Sequence, residues 1–113
     1  MRKEKLPSDQ WYANESVLLK KVTEWLQPQE RDGIKVLRIC DRYAKGYSDL
    51  FICVNGIFVC AELKDDIGTA SPHQELFLSD MKKAGAVCGV CRSVLDVSKL
   101  VDEAKRRSYE CTK

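Results

Sequence analysis

The sequence predicts an α/β domain, a mixed sheet flanked by helices, with elements in the order αβββαβ and a C-terminal helix. Three observations carry this expectation: an amphipathic stretch running to Leu26, two apolar runs joined by Asn55-Gly56, and a helix start at Ser71-Pro72-His73-Gln74 that leads into a further apolar run. A chain of 113 residues has room for one domain. Its core is placed at 9–107, behind a basic N-terminal tail at 1–7.

The first helix is expected from Ser8 or Asp9 to Leu26, where short polar residues cap its start and Pro28 stops it. Ile34 to Asp41 reads as a strand and Arg42 to Tyr47 as a connection. Ser48 to Val54 and Ile57 to Leu63 form the arms of a two-residue hairpin, because Asn-Gly supplies the positive φ angles that such a turn needs. Asp65 to Ala70 is a loop. Ser71 then caps a second helix, with Pro72 at its first position and Gln74 placed to close a capping box. Gly85 ends that helix, Ala86 to Cys91 is a fourth strand, and Ser93 to about Arg107 a third helix with Leu100, Val101 and Ala104 on one side.

The net charge of +2 is too small to announce a nucleic-acid binder by composition, so any basic surface must be local. No stretch approaches the roughly 20 apolar residues of a membrane span, and the charged N-terminus is not followed by an apolar signal-peptide core. A cytoplasmic protein is expected. Six cysteines are then reduced thiols rather than disulfides, most of them small buried hydrophobes. Cys88-Gly-Val-Cys91 has no second ligand pair at matching spacing, so no structural zinc is expected.

The hairpin makes a chemical statement. Residues equidistant from its turn oppose one another, which sets Asp49 across from Glu62 on one face. Opposed Cβ atoms lie about 4.5–5.5 Å apart, and like charges there are destabilising unless compensated. Leu50, Ile52, Val54, Ile57, Val59, Ala61 and Leu63 occupy one face. Asp49, Phe51, Cys53, Phe58, Cys60, Glu62 and Lys64 occupy the other, with Cys53 and Cys60 packing beneath the carboxylates. Two carboxylates converging beside apolar cover suit Mg2+ or Mn2+. A strand-end Glu62–Lys64 ion pair, with Asp49 starting its strand in water, fits the same spacing.

Helical periodicity places Glu15 at the centre of a stripe made by Trp11, Tyr12, Leu18, Leu19, Val22, Trp25 and Leu26. A carboxylate there is costly unless paired or bound to a metal, although in an early turn it can also escape past the core and favour the helix dipole. Gln74 shares a helical face with Phe77, Leu78 and Met81, which aims its amide at the sheet. Capping and reaching a ligand compete for that one side chain.

Gly46-Tyr47-Ser48-Asp49, Glu62-Leu63-Lys64, Ser71-Pro72-His73-Gln74 and Ala84-Gly85-Ala86, in this order on these elements, resemble the VRR-NUC (virus-type replication-repair nuclease) family of the PD-(D/E)XK superfamily. The resemblance runs from about Glu15 to Val97. It departs at Ser48, where members often carry Pro, and in the acidic loop Asp65-Asp66-Ile67-Gly68. It implies a restriction-endonuclease-like core and metal-dependent hydrolysis of DNA phosphodiesters. Asp49, Glu62, the Leu63 carbonyl and Glu15, directly or through water, would hold Mg2+ or Mn2+. Lys64 would orient the attacking water and stabilise the developing charge, and Gln74 would position Lys64, water or a phosphate oxygen.

Stand-alone members look like phage or prophage junction-processing homodimers, so the resemblance also implies a branched or Holliday-junction DNA substrate, a second copy as partner, and a host cytoplasm. A nuclease with little structural preference and a non-catalytic nucleic-acid-binding module are the alternatives. Arg42, Tyr43, Lys45 and Tyr47 lead into Asp49 and mix cations with aromatics, a composition suited to phosphate contact and stacking. Ser71 and His73 are further candidate DNA contacts. An ordinary solvated connection, and a surface histidine, are the competing readings.

Overall fold

The structure, a computed structural model, describes residues 6–31, 33–38 and 50–111. Its elements are α1 (Glu15–Leu26), a short 3-10 helix (Gln27–Arg31), β1 (Ile34–Arg38), β2 (Leu50–Val54), β3 (Ile57–Leu63), α2 (Pro72–Lys83), β4 (Val87–Cys91) and α3 (Val94–Cys111). The strands form one sheet in the order β1-β2-β3-β4. The first two pairings are antiparallel, and β3 with β4 is parallel across the α2 crossover. This is the α/β mixed sheet that the sequence predicts.

Register follows the turn. Asn55 (φ 49°) and Gly56 (φ 87°) both adopt positive φ, so Val54 pairs with Ile57 and Leu50 with Ala61. The odd–even alternation then sorts the strands into two faces. Leu50, Ile52, Val54, Val59, Ala61 and Leu63 are buried on one, beneath Leu18, Val22 and Leu26 of α1 and Val94, Val97, Val101 and Ala104 of α3. Fully burying side chains of this kind contributes about 1.5–3 kcal/mol each, which makes this layer the core. On the other face Phe51 stacks against Phe58 (5.1 Å) and against Phe77 of α2 (5.9 Å). Cover there is thinner: α2 has no fully buried residue, Cys53 is exposed, and Phe58 remains 40% exposed. Cys53 therefore does not pack beneath the carboxylates as expected. It sits near the turn end of the strand, whereas Cys60 is buried.

The first helix begins later than its periodicity suggests. Asn14 accepts a hydrogen bond from the Ser16 N–H and starts it at Glu15. Residues before that cap are bound to other elements: the Leu95 N–H donates to the Ser8 carbonyl and the Asp66 N–H to the Tyr12 carbonyl. These long-range bonds replace the helical ones, and Trp11 is left 57% exposed beside the helix rather than on its buried stripe. At the other end Pro28 stops the α-helix, but the chain continues as the 3-10 helix. The last helix runs on to Cys111, past the predicted end, and Arg106 and Arg107 pair with Glu103, and Arg106 also with Glu110, along its outer side.

Candidate active site

Glu62 is the penultimate residue of β3 and is fully buried on the α2 side of the sheet. A carboxylate removed from water needs charge or hydrogen-bond partners. Lys64, two residues on and so on the same face, brings Nζ to 3.4 Å from Glu62 Oε1 with its side chain only 14% exposed. Gln74 of α2 donates from Nε2 to the same oxygen at 2.7 Å.

Gln74 is aimed by its cap. The Ser71 side chain accepts from the Gln74 N–H at 3.2 Å, and the Gln74 Oε1 accepts from the Ser71 N–H at 2.9 Å. One end of the amide closes the capping box while the other reaches Glu62. The expected competition between these roles does not arise, because a primary amide has a separate acceptor and donor.

Glu15 approaches the strand end from the opposite layer. With Ser16, Leu19 and Leu63 it lines a cavity of about 100 Å3. It is exposed, not buried in the centre of a stripe. At the first position of α1 it lies above the end of the core, where its charge favours the helix N-terminus.

Of the remaining candidates, Ser71 and His73 are exposed, and the Ser71 hydroxyl is engaged in capping. Asp49, Arg42, Tyr43, Lys45 and Tyr47 lie outside the described residues, as do Ser48 and the tail at 1–5. Leu50, the residue after Asp49, is paired with Ala61, the residue before Glu62. Among the described residues no group of three or more His, Cys, Asp or Glu is placed to hold a metal ion. The oxygen donors at this end of β3, the Glu62 carboxylate and the Leu63 carbonyl with Glu15 across the cavity, are nevertheless of the hard type that fits Mg2+ or Mn2+ better than a thiophilic ion.

The thiols below the site belong to its packing. Cys60 and Cys88 are opposite one another across β3 and β4. Burial, reinforced by the neighbouring Cys88, pushes the Cys60 thiol up to about 12. Burial also raises Cys88, although its hydrogen bond to Cys60 works the other way, and raises Cys91. All three are held neutral.

Sequence reasoning gave no role to Arg92. Its Nη1 donates to the Asp65 carbonyl, its N–H donates to Asp96 Oδ2 at 2.9 Å, and its guanidinium lies 5.6 Å from the Trp11 ring centroid. Nothing in the local pattern marks its side chain, since Asp65 and Trp11 come from segments distant in sequence.

No helix among the described residues is long and apolar enough to cross a membrane. No family model matches the chain, and no curated protein matches it. Among solved structures it is similar to one described as a VRR_NUC domain, at 27% sequence identity and a TM-score of 0.60, over 78% of this chain and 94% of that one. The shared architecture is the restriction-endonuclease-like mixed sheet with flanking helices. Likeness over nearly all of the solved domain supports membership of the VRR-NUC family, and in this chain Glu62, Lys64 and Gln74 meet at the end of β3.

Proposed function

We propose that the protein is a divalent-metal-dependent DNA endonuclease that hydrolyses phosphodiester bonds, acting as a homodimer on branched substrates such as four-way junctions. The observation that carries this reading is the contact of Glu62 with both Lys64 and Gln74 in a VRR-NUC fold. Asp49, Glu62 and the Leu63 carbonyl would hold Mg2+ or Mn2+, with Glu15 directly or through water. The ion's contribution is Lewis-acid stabilisation of charge developing on the phosphate and a lowered pKa for water in its shell.

The chain's own residues do the positioning. Gln74 fixes the rotation of the Glu62 carboxyl, so that its oxygens are oriented before substrate arrives. Lys64, restrained beside Glu62, presents a cation to the attacking water and to the phosphate oxygens as negative charge accumulates. Arg42, Tyr43, Lys45, Tyr47, Ser71 and His73 are proposed DNA contacts. Cutting both strands of a junction symmetrically takes two sites, which a two-fold dimer supplies. Leu37 and Phe58, exposed on the same sheet face, offer apolar surface for a second copy. A phage or prophage origin and a cytoplasmic location go with the junction-processing reading.

The test is incubation of purified protein with four-way, flap, single-stranded and duplex DNA in Mg2+ or Mn2+. Preferential cleavage of branched DNA supports the full reading. Equal cleavage of all substrates retains the nuclease and removes the structural selectivity. Sedimentation of a monomer under the same conditions removes the dimer.

A further inference from the structure

We propose that Arg92 is a positioning residue for Lys64, an inference that rests on the nuclease reading above. The parallel ladder of β3 and β4 ends with Leu63 opposite Cys91. One residue further, the Lys64 N–H still donates to the Cys91 carbonyl at 3.0 Å. The two chains then part: β3 turns into a loop in which Asp65 Oδ1 accepts from the Ile67 and Gly68 N–H groups, and β4 turns into α3.

Arg92 spans this divergence with its side chain. Its Nη1 donates to the Asp65 carbonyl, while the N–H of the same peptide unit, on Asp66, donates to the Tyr12 carbonyl at 2.9 Å. The Asp65–Asp66 peptide is therefore held at both ends. Lys64 is bracketed between that peptide and its own bond to Cys91, which fixes the direction in which its side chain leaves the backbone. A four-carbon stem with freely rotating bonds would otherwise carry Nζ away from Glu62 Oε1.

The arginine is itself anchored. Its N–H donates to the Asp96 carboxylate in the first turn of α3, the Asp96 N–H donates in turn to Ser93 Oγ at 3.1 Å, and the guanidinium faces Trp11. A planar cation can lie over a ring and donate to a carbonyl simultaneously, a combination that lysine reproduces only in part. Arg92 thus links the segment preceding α1, the start of α3 and the exit of β3 at the residue that the proposed chemistry needs most accurately placed.

Steady-state cleavage of labelled four-way junction DNA by wild type, Arg92→Met and Arg92→Lys tests this, with melting temperature and the DNA dissociation constant in parallel. Displacing a reacting group slightly can cost about 100-fold in rate, so Arg92→Met is expected to lose about tenfold or more in kcat at unchanged KM and dissociation constant. Arg92→Lys should recover only part of that loss, because an ammonium can reach the carbonyl but does not stack as a planar cation. Equal kcat in wild type and Arg92→Met overturns the inference, and so does a raised KM with unchanged kcat, which would make Arg92 a phosphate contact. Should Arg92→Met fail to fold, Trp11→Leu removes only the exposed ring over which the guanidinium lies. A severalfold lower kcat at unchanged KM then supports the role, and an unchanged kcat contradicts it. Wild type that leaves DNA intact sinks the nuclease reading and this inference together, whereas wild type that cuts beside an equally fast Arg92→Met sinks the inference alone.

Discussion

Gln74 and Glu62 are joined by a 2.7 Å hydrogen bond from amide nitrogen to Oε1, and the oxygen of the same amide caps α2 through the Ser71 N–H. The N-terminus of a helix thereby becomes the brace of a buried carboxylate on a neighbouring strand.

Separating the two ends of that amide separates structure from chemistry. Gln74→Glu keeps an acceptor for the Ser71 N–H but sets a second carboxylate against Glu62, so cleavage is expected to disappear while circular dichroism shows α2 retained. Gln74→Ala loses both bonds. A hydrogen bond to a charged group contributes about 1.5–3 kcal/mol, and urea denaturation should show a loss of that size.

Lys64 is the cation beside Glu62, and removing one partner of a buried pair typically costs about 3–5 kcal/mol. Lys64→Met should fall at the lower end, because the Lys64 side chain keeps some contact with water. Cleavage should be lost in the same variant. Mg2+ or Mn2+ is expected to raise the melting temperature of the wild type, since an ion at 100 times its dissociation constant stabilises by about 2.7 kcal/mol. Chelation with EDTA should reverse the rise, and Glu62→Gln should abolish it.

Much of this arrangement is legible in residue order. Asn55-Gly56 sets the hairpin register, alternation then assigns Glu62 and Lys64 to one face, and Ser71-Pro72-His73-Gln74 places the cap that aims Gln74. What periodicity missed depends on contacts distant in sequence. Trp11 and Tyr12 fit a helical stripe, but hydrogen bonds from Asp66 and Leu95 hold the segment 8–12 outside the helix. Glu15 consequently sits at the exposed first position of α1 rather than within its buried face. Arg92 was invisible for the same reason. Asp49 and the basic, aromatic segment before it lie outside the described residues.

The hairpin can be tested without touching the site. At Gly56 an added Cβ meets no neighbouring atom, but φ is +87°. Gly56→Ala should therefore cost about 1–2 kcal/mol in chemical denaturation through backbone strain alone, with cleavage unchanged below the melting temperature.

The buried thiols predict an alkaline limit. Because Cys60 has its pKa raised to about 12 from the ordinary 9.0, with Cys88 and Cys91 raised as well, the unfolded chain ionises first. The neutral thiols' contribution is complete below about pH 9 and is lost as pH rises towards 12. The urea midpoint should fall as pH rises from about 9 towards 12, and Cys60→Ala should flatten that slope.

Cleavage of labelled four-way, flap, single-stranded and duplex DNA by wild type, Asp49→Asn and Glu62→Gln, in Mg2+ or Mn2+, tests the nuclease assignment most directly. Wild type is predicted to cut, with both variants binding DNA but leaving it whole. A folded wild type that spares every substrate in both ions, or variants that cut at the wild-type rate, would contradict it.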